Sequence, residues 1–209
     1  LFTPKFFTAA NQLNILYQAS TLGLLVLGMG VGMMVGELDL SMEATLAFAP
    51  GITILLNERL QMGPVFCILA TLVLGMAIGL FNGFFVAKLN TNSFLLSMST
   101  QIVMRGLVLF LVPFSIAGLD EGFTFLGRGR IGTLQVAILA MLAVYLVFEF
   151  MFRQTVFGRK FALTGGNRRA AFISGINTDR VVIMAFVLAG LLAAIAGLIT
   201  AGRQNAVSN

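Results

Sequence analysis

The sequence predicts an all-α, polytopic membrane protein of about six membrane helices or part-helices. Three observations predict it. Only 10% of the 209 residues are charged, against about 25% in an ordinary soluble domain. A further 58% are hydrophobic before the 23 glycines are counted. The apolar residues also come in long runs without the two-residue alternation of barrel strands, and because lipid offers the backbone no hydrogen bonds, such runs are expected to be helical.

The runs cover 13–36, 40–56, 63–87, 94–112, 131–152 and 181–201, and a membrane helix needs about 20 mostly apolar residues. The first carries Gly28, Gly32 and Gly36 at four-residue spacing. The second is marginal in length, and either spans or is a partial or re-entrant segment. The third repeats the glycine spacing at Gly75, Gly79 and Gly83 and contains the lone Cys67, which lies among Phe66, Ile68 and Leu69 and reads as packing. The fourth carries Gln101 and Arg105 at depth. The fifth ends near Glu149, and the sixth has Ala193, Gly197 and Ala201 on one stripe. Small-residue stripes let helices approach closely in lipid, where no hydrophobic force joins them.

One Cys and no His exclude a disulfide framework, a Cys/His metal site and a Ser-His-Asp or Cys-His catalytic set within these residues. The chain opens on Leu1 with no Met and no basic n-region, so it reads as a fragment or processed chain.

Charge orients the runs. The loop 153–180 holds Arg153, Arg159, Lys160, Arg168, Arg169 and Arg180 against Asp179, and so carries all of the +5 formal net charge. The positive-inside bias places it in the cytoplasm. If all six runs cross, Lys88 is inside, and 113–130 and the start of the chain are outside. No aromatic stacking platform accompanies the basic residues, which argues against nucleic-acid binding.

Polar residues at membrane depth are costly and need partners or water. The cluster Gly36-Glu37-Leu38-Asp39-Leu40-Ser41 interrupts two apolar runs. Asp39 or Ser41 is placed to cap a helix beginning near Met42, with Glu43 at its positive end. Alternatively the break is irregular backbone that lines a transport path or gate, to which Glu37, Asp39, Ser41 and Arg105 would belong. Arg105 is expected either to pair with Asp39, Glu37 or Glu149 or to face a water-filled path.

The basic loop has internal order. After Phe157-Gly158-Arg159 a turn is expected at Gly165-Gly166, and Asn167 is placed to cap a short helix through Ser174 that Gly175 ends. Ile176 and Asn177 follow, and Asp179 is expected to cap the last membrane helix. The short helix would present Ala170, Ala171 and Ile173 as a small apolar knob for a partner.

These residues resemble the ribose-type sugar ABC importer permeases. Gly36 through Ser41 is similar to their Gly-x-Asp-Leu-Ser signature. Phe157-Gly158-Arg159, Gly165-Gly166-Asn167, Ala170-Ala171 and Ser174-Gly175-Ile176-Asn177 resemble their cytoplasmic coupling segment. Arg105-Gly106 and the stretch of Gly118 with Gly122-Phe123-Thr124-Phe125-Leu126-Gly127 resemble further family segments. The chain departs at Glu37 and Glu43, where glycines are usual, and at Ser93 to Met98.

The resemblance implies one transmembrane permease domain over 1–209, an internal piece of a longer membrane chain. It further implies a multi-pass protein of the bacterial inner membrane that is not itself an enzyme. Its partners would be an ATP-binding cassette ATPase subunit, a periplasmic or lipid-anchored sugar-binding protein and a second permease subunit, as a homodimer. Gly165, Gly166, Asn167, Ala170, Ala171, Ser174, Gly175 and Ile176 would couple to the ATPase. The chain has no cofactor of its own by this account, ATP being bound by the partner, and it contains no Gly-x-x-x-x-Gly-Lys-Ser/Thr phosphate loop. A self-sufficient channel or secondary transporter is the competing class, in which Glu37, Asp39 and Arg105 would couple ions or protons.

Overall fold

The structure, a computed structural model, describes residues 6–112, 116–117, 119 and 121–207. Its helices are α1 (Ala9–Met34), α2 (Met42–Leu60), α3 (Pro64–Leu89), α4 (Ser93–Leu111), α5 (Glu121–Arg128), α6 (Val136–Gln154), α7 (Val156–Gly166), α8 (Arg168–Ile173) and α9 (Thr178–Gln204). Among the described residues the two-residue strands are β1 (Ile116–Ala117), β2 (Arg130–Ile131), β3 (Leu134–Gln135) and β4 (Ala206–Val207). Among the described residues, α1, α3, α4, α6 and α9 are long and apolar enough to cross a membrane, so the polytopic all-α expectation holds.

Local chemistry sets the boundaries. Pro64 opens α3 at a position where a missing N–H costs nothing. Asn90 in the left-handed conformation closes it. Asn92 Oδ1 then accepts from Leu95 N at 3.1 Å to start α4.

α9 is the axis of the bundle, buried along most of its length, with α3, α1 and α2 as its main neighbours. The small-residue stripes make these contacts possible. A Cβ on Gly79 would run into the Phe186 carbonyl, one on Gly190 into the Gly75 carbonyl, and one on Gly197 into the Leu46 carbonyl. Backbones therefore touch where side chains would separate them, and dispersion holds the helices together. Cys67 is buried with Ile54, Phe123, Leu198 and Ala201, as packing requires.

The link between α1 and α2 is re-entrant. A Cβ on Gly165 of α7 would meet the Met34 carbonyl, so α1 ends beside the basic loop. Gly36 turns the chain at φ +81°, and residues 37–41 climb back into the bundle without helical structure. Met42 packs with Ala189 and Ala193 near the middle of α9, so α2 starts at about half depth. The short apolar run at 40–56 is thus almost wholly α2, which begins inside the bundle after the non-helical residues 37–41. Such backbone is tolerated only because protein surrounds it.

At the opposite end, β1 pairs antiparallel with β4 and β2 with β3. Tyr17 donates from its hydroxyl to the Gly127 carbonyl at 2.8 Å, fastening α5 to α1. Gly118, part of one expected motif, lies outside the described residues.

The basic loop departs from expectation in two ways. Residues 156–166 form the amphipathic helix α7, so Gly165 and Gly166 are its last residues rather than a free turn. Asn177, not Asp179, caps α9: Asn177 Oδ1 accepts from Arg180 N at 3.0 Å, and Asp179 falls in the first turn. A cap lies immediately before the helix, three residues ahead of the amide it accepts from, and Asn177 holds that place.

Candidate functional site

A buried polar network holds the re-entrant segment. Asp39, 2% exposed, accepts at Oδ1 from Ser41 N at 2.9 Å and from Ser41 Oγ at 2.6 Å. Asn82 Nδ2 of α3 donates to Ser41 Oγ at 2.9 Å, and Asn82 Oδ1 accepts from Thr100 Oγ1 of α4 at 2.8 Å. Two α4 hydroxyls serve the segment's backbone: Leu38 N donates to Ser93 Oγ at 3.3 Å and Leu40 N to Ser97 Oγ at 3.1 Å. The donors that a helix would have satisfied internally are met by side chains. Among the described residues Asp39 Oδ2 has no hydrogen-bond partner.

Outside this network, α2 and α4 form a groove of about 350 Å³ lined by Glu43, Ala44, Ala47, Gln101, Arg105, Val108 and Leu109. Gln101 Nε2 donates to Glu43 Oε2 at 2.9 Å. Glu43 lies in the first turn of α2, the half-depth helix start. Arg105 is twelve residues from the start of α4, or about 18 Å at 1.5 Å per residue. Both charged side chains are exposed. Exposure of a carboxylate and a guanidinium at that depth is incompatible with lipid, so the groove faces water or protein.

At the inner end, α8 is built as the sequence indicates. Asn167 Oδ1 accepts from Ala170 N at 2.9 Å. Gly175, at φ +85°, closes the helix with Gly175 N donating to Phe172 O and Ile176 N to Ala171 O, the paired bonds of a Schellman ending. Ala171 is 4% exposed, while Phe172 is 68% and Ile173 77% exposed. The apolar knob expected at Ala170, Ala171 and Ile173 is corrected to Ala170, Phe172 and Ile173. Ala171 faces inward because α8 packs on α7 and the start of α9.

Charged residues tie α8 to the bundle. Arg168 Nη1 lies 3.6 Å from Glu37 Oε1 and its Nη2 3.3 Å from Asp179 Oδ1. Lys88 Nζ at the end of α3 lies 2.9 Å from Asp179 Oδ2.

The four residues assigned to one path are thus divided. Arg105 lines the groove, Asp39 and Ser41 are buried behind it, and Glu37 sits at the inner end. Among the described residues Arg105 has no ion pair: Glu37 is held by Arg168, Glu149 pairs with Arg153 at 2.7 Å, and Asp39 is bonded to Ser41. The carboxylate expectation for Arg105 is corrected to the groove-facing one. Sequence reasoning overlooked Asn82, Ser93, Ser97 and Thr100. The signal for them was polar side chains inside apolar runs.

Comparison with known proteins gives a consistent pattern. Residues 11–209 match the family described as branched-chain amino acid transport system / permease component. The ribose import permease protein RbsC of Bacillus subtilis is 34% identical over 208 residues, covering 97% of this chain and 64% of that protein. The L-arabinose transport system permease protein AraH of Escherichia coli K12 is also 34% identical, covering 98% and 62%. RbsC of Escherichia coli K12 is 30% identical, covering 96% and 64%. The chain therefore spans under two thirds of these relatives. No solved structure matches it.

Proposed function

Because the chain belongs to the family of transport-system permease components, which its match over residues 11–209 establishes, we propose that it forms the membrane path of an ATP-driven importer for a monosaccharide such as ribose or L-arabinose. In this reading it is a multi-pass inner-membrane subunit and not an enzyme. A separate ATP-binding cassette ATPase binds and hydrolyses ATP, a periplasmic or lipid-anchored binding protein delivers the sugar, and a second copy of the permease completes the path. The chain itself needs no cofactor. The family assignment argues against a self-sufficient channel or secondary transporter.

The observation that carries the reading is the group of exposed Glu43 and Arg105 with half-buried Gln101 at half depth, beside a helix that begins inside the bundle. Discontinuous helices and midplane polar groups are where transporters hold solute. Planar amide, carboxylate and guanidinium groups suit the hydroxyls of a sugar. Glu43 and Arg105 would line the path, with Asp39 and Ser41 holding the helix start in place from behind. On the inner face, the segment Gly165 to Ile176 would dock the ATPase through Ala170, Phe172 and Ile173, with Ala171 and the caps fixing the helix that presents them.

The test is uptake of labelled ribose and L-arabinose by the full-length permease reconstituted with its ATPase and binding protein. Arg105→Leu should lower ATP-driven uptake while leaving assembly intact. Uptake that persists without the ATPase would overturn the proposal, as would normal uptake by the Arg105→Leu variant.

A further inference from the structure

The charged residues at the inner end are connected unequally. Asp179 is held twice, by Lys88 at 2.9 Å and by Arg168 at 3.3 Å, at the junction of α3 and α9, the most extensively packed helix pair. Arg168 Nη2 also lies 3.5 Å from the Ala87 carbonyl of α3. Glu37 is held once: among the described residues its carboxylate has one ion-pair partner, Arg168, at 3.6 Å. Arg168 is therefore a fork with one tine on a fixed junction and the other on the non-helical segment 36–41. That segment is joined to α4 by the Leu38 and Leu40 amides through Ser93 and Ser97, and by Asp39 and Ser41 through Asn82 to Thr100. The residue after Thr100 is Gln101, which holds Glu43 in the groove.

We infer that Arg168 and Glu37 form the joint through which α8 positions the re-entrant segment, and with it the Glu43, Gln101 and Arg105 groove. This rests on the reading of the chain as an ATP-driven permease. Arg168 and Glu37 act as positioning residues: a displacement of α8 shifts the Arg168 guanidinium against Asp179 and either carries Glu37 with it or breaks the 3.6 Å contact. Spatial continuity alone does not establish coupling, so the test measures coupling itself.

The experiment uses the full-length permease, with Glu37→Gln, Arg168→Gln and the double variant. In nanodiscs without substrate or partners, amide exchange at Leu38 and Leu40 should rise at least about fivefold in each single variant and no further in the double. In the reconstituted complex, each single variant should keep ATPase assembly but raise the ATP hydrolysed per sugar by a similar factor, again without a further rise in the double. Unchanged exchange, an unchanged ratio, or additive effects in the double would overturn the joint. A wild-type complex that hydrolyses ATP but imports no sugar would instead overturn the transport reading, leaving the exchange measurement to decide the joint.

Discussion

Asn82 donates to the Ser41 hydroxyl across 2.9 Å, joining a membrane-length helix to a stretch of chain that is not helical. Both residues are buried. An amide suits this position because it donates on one side and accepts on the other, here from Thr100. One side chain thereby fixes the distance between α3, α4 and the start of α2.

Replacing it should show. Asn82→Leu keeps the volume but removes the bridge and strands the Thr100 hydroxyl, at a cost of about 1–3 kcal/mol. The thermal midpoint of the purified protein in detergent should fall. A midpoint equal to that of the wild type would mean the network adds nothing to stability.

Glycine positions should differ sharply from one another. Gly79→Leu places atoms where the Phe186 carbonyl and Val187 Cα already sit, and backbone cannot move aside as a side chain can, so α3 and α9 should separate and monodisperse protein should be lost. Gly30→Ala meets nothing within 4 Å and should be neutral or stabilising by up to about 1 kcal/mol. Size-exclusion profiles of the two variants make the comparison; equal behaviour would refute backbone contact as the basis of the stripe.

Water in the groove can be detected with a polar thiol reagent. In a Cys67→Ala background, Arg105→Cys should react much faster than Val103→Cys, which occupies another exposed face of the same helix. Equal, slow reaction at both positions would place Arg105 against lipid or sealed protein.

On α8, neighbouring substitutions should separate fold from docking. Ile173→Asp alters an exposed side chain and should weaken ATPase co-purification with little effect on stability. Ala171→Asp buries a carboxylate and should destabilise the helix itself, since an unpaired buried charge costs several kcal/mol. Full ATPase retention by Ile173→Asp would mean that another surface docks.

Depth was legible in the sequence; azimuth was not. Counting residues from the ends of the apolar runs places Arg105 and Asp39 well inside, and the runs coincide closely with the long helices. Which way each side chain points around its helix depends on packing partners that no single run reveals. For that reason the nearest carboxylates were natural candidates for Arg105, whereas the structure turns it toward the groove. The same limit hid Asn82, Ser97 and Thr100, each unremarkable in its own run. The helix α7 was missed for a different reason: its glycines and charges break the apolar pattern, and its helical character rests on Phe161 and Thr164 packing inward. Caps, by contrast, are read within three residues, and the Asn167 and Gly175 assignments around α8 stand in the structure.

The 27 residues of α9 run unbroken from Thr178 to Gln204, a rod of about 40 Å. Its inner tip carries Asp179, gripped by Lys88 and Arg168. At its outer tip, the Arg203 carbonyl accepts from Arg128, Asn205 accepts from the Leu119 amide, and β4 continues into the pairing with β1. One unbroken rod therefore joins the end that carries α8 to the end that carries the strands. Any coupling carried along that rod would be reciprocal: a load on the outer strands would bias the inner charges as strongly as the inner charges bias the strands.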